Sequence, residues 1–202
     1  MLERLFRSGA EVKVLGVALF RNDLHLREIS RLASVSVSEA KKELDSLIEI
    51  GVLKSQKRGN LVVFNINPLC PFIEELKLLY MKTEGIFRQL RNALSGIGGI
   101  KYAFVYGSVA KGSFREKSDL DLFIIGHVDE EKVAAACLKV QSESGREINF
   151  IIWEESNFVR EVSMGNSFAN AVAKNRKLWL WGEENGFKEL VAKASYRKNE
   201  KR

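Results

Sequence analysis

The chain has little of what builds disulfide scaffolds, zinc sites or membrane spans. Its two cysteines, Cys70 and Cys137, stand far apart and belong to no CxxC pattern. A disulfide framework is therefore not expected, and reduced thiols suit a cytoplasmic protein. The two histidines, His25 and His127, lack metal-ligand spacing, which argues against a zinc site. No apolar run approaches the roughly 18 residues of a membrane-spanning helix. The opening stretch MLERLFRSGAEVKVLG intersperses acids and bases, so no signal peptide is expected. Prolines number two, Pro68 and Pro71, and fall together as punctuation between segments.

What remains is the balance of a soluble globular protein, 46% hydrophobic and 29% charged. A length of 202 residues allows one large or two modest domains. The net charge of +6 permits a nucleic-acid partner without requiring one.

Residues 1–67 predict helices closed by a hairpin. SGAE at Ser8–Glu11 and SVSE at Ser36–Glu39 both fit S-x-x-E, the box in which serine and glutamate satisfy a helix's first amides. Val12, Leu15, Ala18 and Leu19 follow the first box; Ala40, Leu44, Leu47 and Ile48 follow the second. Both spacings bury one helical face. Leu26, Ile29, Leu32 and Ala33 make a third short amphipathic helix between them. Gly51 stops the last helix, and KRGN turns between two β-rich runs. The stretch REISRLASVSVSEAKKELDSLIEIGVLKSQKRGN resembles a winged helix-turn-helix. That resemblance implies double-stranded DNA contact through Ser38, Lys41 and Lys42 on the recognition helix and Lys57 and Arg58, beside Lys54, on the wing. Glu39, Glu43 and Asp45 share the helix and repel phosphate, and such modules also dock proteins or form homodimers.

Residues 68–97 predict a helical connector, with Pro71 suited to a first turn and Gly85 a candidate interruption. From Ile100 the pattern changes to strands and helices in alternation: IKYAFVY, DLDLFII, EINFIIW and KLWLWG read as strands. Residues 98–185 make this unit, residues 186–202 are expected to be a basic C-terminal tail, and its end, SYRKNEKR, is expected to fray.

The chemistry concentrates in YGSVAKGSFREKSDLDLFIIG, Tyr106 to Gly126. Side chains alternate along a strand, so Asp119 and Asp121 share one face while Leu120 and Leu122 enter the core. Two carboxylates so close repel one another. Divalent cations relieve that repulsion, and Mg²⁺ favours carboxylate and phosphate oxygens together. Gly107 allows a sharp turn close to a ligand, and Ser108 adds a hydroxyl at a helix start, where phosphates bind. Lys111 and Arg115 either neutralise phosphate or serve as ordinary surface charges.

A Gly-Ser pair, ten residues and then D-x-D resembles the signature of minimal polymerase β-type nucleotidyltransferases. Ser118 matches the serine that commonly precedes the first acid there. The resemblance extends over residues 98–185, through GREINFIIW and FANAVAKNRKLWLWG. The expected fold class is accordingly α/β (α+β): an N-terminal winged helix-turn-helix, a helical connector, and a mixed nucleotidyltransferase sheet flanked by helices. The resemblance implies a nucleoside triphosphate substrate, ATP by family habit, held at Gly107, Ser108, Lys111 and Ser118. It implies two Mg²⁺ ions, with Mn²⁺ as a substitute, held by Asp119, Asp121 and a third carboxylate. Glu147 is the candidate for that third role, against the alternative of an exposed acid paired with Arg146; Asn149 lies on the same strand face. The implied reaction is in-line attack of an acceptor hydroxyl on the α-phosphorus with release of pyrophosphate. Minimal members of the superfamily include antitoxins that adenylylate a partner toxin, and others that modify small molecules. Two other readings stand beside the enzyme: a DNA-binding regulator whose nucleotidyltransferase-like domain only senses nucleotide, and a protein-interaction module with neither activity.

Overall fold

The computed structural model describes residues 2–112 and 119–199, with Glu3 and residues 195–199 described by backbone alone. These residues fall into two compact units that divide after Arg88. No helix among the described residues is long and apolar enough to cross a membrane.

In the first unit, a short 3-10 turn (Leu2–Arg4) precedes α1 (Gly9–Ala18), β1 (Leu24–His25), α2 (Leu26–Ala33), α3 (Val37–Glu49), β2 (Leu53–Arg58), β3 (Leu61–Ile66) and α4 (Ile73–Thr83). The three strands form an antiparallel sheet in the order β1-β3-β2. The box expected at α3 is complete, because Ser36 accepts from the Glu39 amide while the Glu39 carboxylate accepts from the Ser36 amide. At α1 the geometry differs. Ser8 accepts from the Glu11 amide, but the Glu11 carboxylate reaches one residue further back to the Arg7 amide, 2.8 Å away. The Ser8 hydroxyl then donates to Glu43 at 2.9 Å and ties α1 to α3. Leu15, Ala18, Ile29, Ala40, Leu44 and Leu47 close the core of this unit. Gly51 takes φ +77° just past α3, and Gly59-Asn60 turns β2 into β3 with Arg58 opposite Leu61. The two-residue β1 was not expected; Leu24 and His25 pair with Phe64 and Val63.

Helix α5 (Ile86–Leu94) runs across the division. The second unit continues with β4 (Ile100–Tyr106), α6 (Gly107–Ala110), β5 (Leu120–Gly126), α7 (Glu130–Ser144), β6 (Ile148–Trp153), α8 (Glu155–Ser163), α9 (Ser167–Lys174), β7 (Leu178–Trp181) and α10 (Glu184–Asn199). Its sheet runs β6-β5-β4-β7, with β5 parallel to β6 and β4 antiparallel to both of its neighbours. This is a mixed sheet in an α+β chain, as the sequence predicts. The strand directions bring the end of β4 and the beginnings of β5, β6 and β7 to one edge.

Both faces of β5 are covered. Leu120, Leu122 and Ile124 are fully buried on one face, and Phe123 and Ile125 are equally buried on the other. The second face carries an aromatic cluster of Tyr102, Phe104, Phe123, Phe158 and Phe187, with Trp153, Phe168 and Trp179 packed against it. Asp121 therefore opens a face that is apolar from the next inward position onward.

The stretch expected as a basic tail from 186 is helical as far as Asn199. Helix α10 buries Phe187, Leu190 and Ala194 in the aromatic cluster. The Phe187 ring meets Tyr102, Phe104, Phe158 and Trp179 with centroids 5.4–5.6 Å apart. Apolar positions 187, 190, 191 and 194 follow a helical spacing that the terminal charge run obscures.

Candidate active site

Asp121 is the second residue of β5, opposite Tyr106 on β4 and Asn149 on β6. Asp119 lies one residue before the strand and is exposed, whereas Asp121 is half-buried. Burial, and then the charge of Asp119, raise the Asp121 carboxyl above its usual range. The two acids are thus close enough to feel one another, and the inner one sits where ionisation is disfavoured.

Gly107 explains how the loop comes so near. It takes φ +75°, and a Cβ there would lie 2.3 Å from Oδ2 of Asp121. Any side chain at this turn would push the Asp121 carboxylate aside, and the left-handed backbone favours glycine independently. Gly107 opens α6, whose Val109 and Ala110 are buried while Ser108 faces solvent. The sequence motif and the geometry meet at this point: the Gly-Ser turn and the second aspartate are in direct apposition.

A family model for the nucleotidyltransferase domain matches residues 87–179. A protein of Methanocaldococcus jannaschii, MJ0604, whose name carries the provisional description of protein adenylyltransferase, is 34% identical over 85 residues, 41% of this chain and 85% of its own length. This chain belongs to the nucleotidyltransferase-domain family. Among solved structures, a toxin–antitoxin complex with AMP-PNP matches with a TM-score of 0.40 and 13% identity, over 56% of this chain and 87% of that one. An AMPylated Shewanella oneidensis HEPN toxin with its MNT antitoxin matches with a TM-score of 0.33 and 12% identity, over 63% and 86%. Scores this low add nothing to the sequence match.

Within the nucleotidyltransferase domain the remaining expected residues fall differently. Glu147 precedes β6, exposed, and its backbone carbonyl accepts from the Leu120 amide at 2.9 Å. It neighbours the start of β5, but among the described residues no three His, Cys, Asp or Glu side chains gather as one metal-ion cluster. Asn149, in register with Asp121, is exposed at the same edge. Lys111 is exposed at the C-cap of α6. Ser118 and Arg115 lie outside the described residues.

Tyr106 is a site residue that the motif did not single out. It is partly buried, its ring lies 5.9 Å from Phe123 and 5.8 Å from Phe168, and burial together with the Asp121 charge raises its phenol above the usual range. It forms the apolar wall beside the carboxylate. The signal for it was its place as the last residue of β4, immediately before Gly107.

In the first unit, Ser38, Lys41, Lys42, Lys57 and Arg58 are all exposed. Lys41 pairs with Asp45 and Arg58 with Asp23 at 3.0 Å. The Ser38 hydroxyl lies 3.1 Å from that of Ser36. The Glu39 carboxylate is committed to the helix cap, and the Ser36 hydroxyl and amide hold its pKa below the usual range.

Proposed function

We propose that this nucleotidyltransferase moves a nucleoside monophosphate, AMP from ATP, onto a hydroxyl of an acceptor protein in a divalent-metal-dependent reaction. The observation that carries the reading is the apposition of Gly107 to Asp121, with Asp119 beside it at the mouth of a buried sheet. Support for AMP and for a protein acceptor comes from the description of the M. jannaschii relative.

The donor set fits Mg²⁺ or Mn²⁺. Two carboxylates, one raised in pKa by burial and by the other, are hard oxygen ligands that a divalent cation would favour in their charged form. Asp119 and Asp121 would hold the metal, with Glu147 a third carboxylate at the same edge. When bound, it supplies charge neutralisation at the phosphates and at the attacking oxygen. The chain's own part is positioning. Gly107 keeps the turn clear of Asp121, Ser108 and Lys111 face the phosphates, and Tyr106 limits water beside Asp121. In the transfer, the acceptor O–H gives up its proton to a carboxylate of this group or to solvent. The acceptor oxygen bonds to the α-phosphorus, and the bridge to the β-phosphate breaks with its electron pair leaving on pyrophosphate.

The same reading assigns the first unit, three helices with a hairpin, as a winged helix that binds double-stranded DNA as a homodimer. Lys42, Lys54 and Lys57 on its exposed surface are the main phosphate contacts, because Lys41 and Arg58 already hold acids.

The test is transfer of α-labelled ATP to protein in a lysate of the source cell, with Mg²⁺. Asp119→Asn should abolish labelling and pyrophosphate release. Undiminished labelling by that variant would sink the assignment, and nucleotide binding without pyrophosphate release would make the domain a sensor. For the first unit, Lys42→Gln/Lys57→Gln should weaken duplex binding at fixed salt across all sequences.

A further inference from the structure

A cavity of about 330 Å³ opens beside β7, lined by Lys174, Arg176, Lys177, Lys188, Glu184 and Trp179 among others. Four of these side chains are cationic. Glu184 is the acid among the described lining residues, and it is already engaged by Lys188 at 2.8 Å. The cavity therefore carries an uncompensated positive charge.

Lys177 is built into this place rather than left on the surface. Its ammonium donates to the carbonyls of Ala173 at 2.9 Å and Asn175 at 2.8 Å. It lies 4.9 Å from the centre of the Phe187 ring and 5.7 Å from that of Phe104. An ammonium has three donors, and the two carbonyls take two of them. Burial lowers its pKa to about 8, the mark of a cation held without full compensation.

Topology relates this cavity to the aspartates. Leu178 pairs with Val105, so Lys177 stands at the level of Tyr106, which itself pairs with Asp121. Trp179, Phe104, Phe187 and Phe123 belong to one cluster, which puts the cavity on the same sheet face as Asp121. Asp121 on β5 and Lys177, just before β7, are thus about two strand spacings apart, about 10 Å between backbones. Acids sit on one side of β4 and cations on the other, along one edge and one face.

We propose that the Lys174–Lys188 cavity is an oxyanion subsite that takes a phosphoryl group of the reactants, foremost the polyphosphate tail of the nucleotide. The nucleotide's identity rests on the reading above; the cavity and its charge do not. A phosphate carried by the acceptor has the same chemistry, and the two sources separate by competition.

The experiment is calorimetric titration of inorganic tripolyphosphate into the full chain in EDTA, at fixed ionic strength because exposed charges are screened by salt. The parent should bind it. Lys174→Gln/Arg176→Gln should bind about tenfold or more weakly for each cation removed. Both side chains are exposed, so the tryptophan-detected melt should stay that of the parent. If ATP displaces the tripolyphosphate, the subsite holds the nucleotide's own tail; if both bind together, it holds a phosphate of the acceptor. Absent binding, or binding indifferent to the double variant, overturns the proposal. Asp119→Asn should retain tripolyphosphate binding in EDTA while losing transfer, so the enzyme assignment and the subsite fail separately.

Discussion

Gly107→Ala tests the apposition on which the active-site reading depends. An alanine at φ +75° costs about 1–2 kcal/mol in backbone strain. Its Cβ would also stand 2.3 Å from Oδ2 of Asp121, where ordinary contact begins at 3.4 Å. The carboxylate must therefore retreat by about 1 Å, a displacement that costs about 10²-fold in rate when it misplaces a reacting group. Gly145→Ala is the matched control: φ is +68° at the C-cap of α7, and nothing lies within 4 Å of an added Cβ. All three tryptophans, Trp153, Trp179 and Trp181, belong to the second unit, so their fluorescence reports its melting. Both variants should lower that melting temperature, by about 4–8 °C per kcal/mol for a unit of this size. Only Gly107→Ala should lose transfer of label, measured well below the melt. Parental transfer by Gly107→Ala, or equal loss in both variants, would refute the argument that this glycine exists to admit the carboxylate.

Asp121 makes a pH-dependent contribution of defined sign. Because its folded pKa is raised, its stabilisation is complete below the ordinary carboxylate value of about 4 and is lost as pH rises through the folded value. In chelator, the tryptophan melt should thus weaken with rising pH in that window, and Asp119→Asn should flatten the slope; an unchanged slope would exclude coupling between the two acids. Phe187→Ala should destabilise the second unit by about 3–5 kcal/mol, read by urea unfolding; a loss under 1 kcal/mol would mean that α10 is dispensable to the core. Cys137 is buried and its thiol is pushed up to about 11. It should resist thiol reagents at pH 8 until the unit unfolds, and rapid labelling of the native chain would contradict that burial.

Much of the architecture was written in local pattern. Apart from α10, the main helices of both units and the strands of the mixed sheet follow from 3.6- and 2-residue spacing, and the turns at Gly51 and Gly59 from residues that adopt positive φ. The closeness of Asp119 to Asp121 is equally local, since two residues one apart at the head of a strand are neighbours wherever the strand goes. A motif of Gly-Ser and D-x-D then suffices to name the chemistry, because turn and acids act within a few ångströms of each other.

Other features depended on packing between distant segments. That Gly107 faces Asp121, that Tyr106 walls the site and that Glu147 comes beside the start of β5 depend on the register of β4, β5 and β6, which no single strand encodes. The two-residue β1 owes its strand character to Phe64 and Val63, far along the chain. Helix α10 was hidden because its few apolar residues are diluted by lysines, and only the aromatic cluster that receives them makes their burial decisive. Lys177 shows the same division. In sequence it is one cation in a basic stretch, whereas in the folded unit the link from α9 into β7 lays it over two rings and between two carbonyls, across β4 from the acids. Sequence determines which groups are present and how near neighbours are spaced; the sheet's strand order determines which of them face one another, because that depends on free energy summed over the whole core.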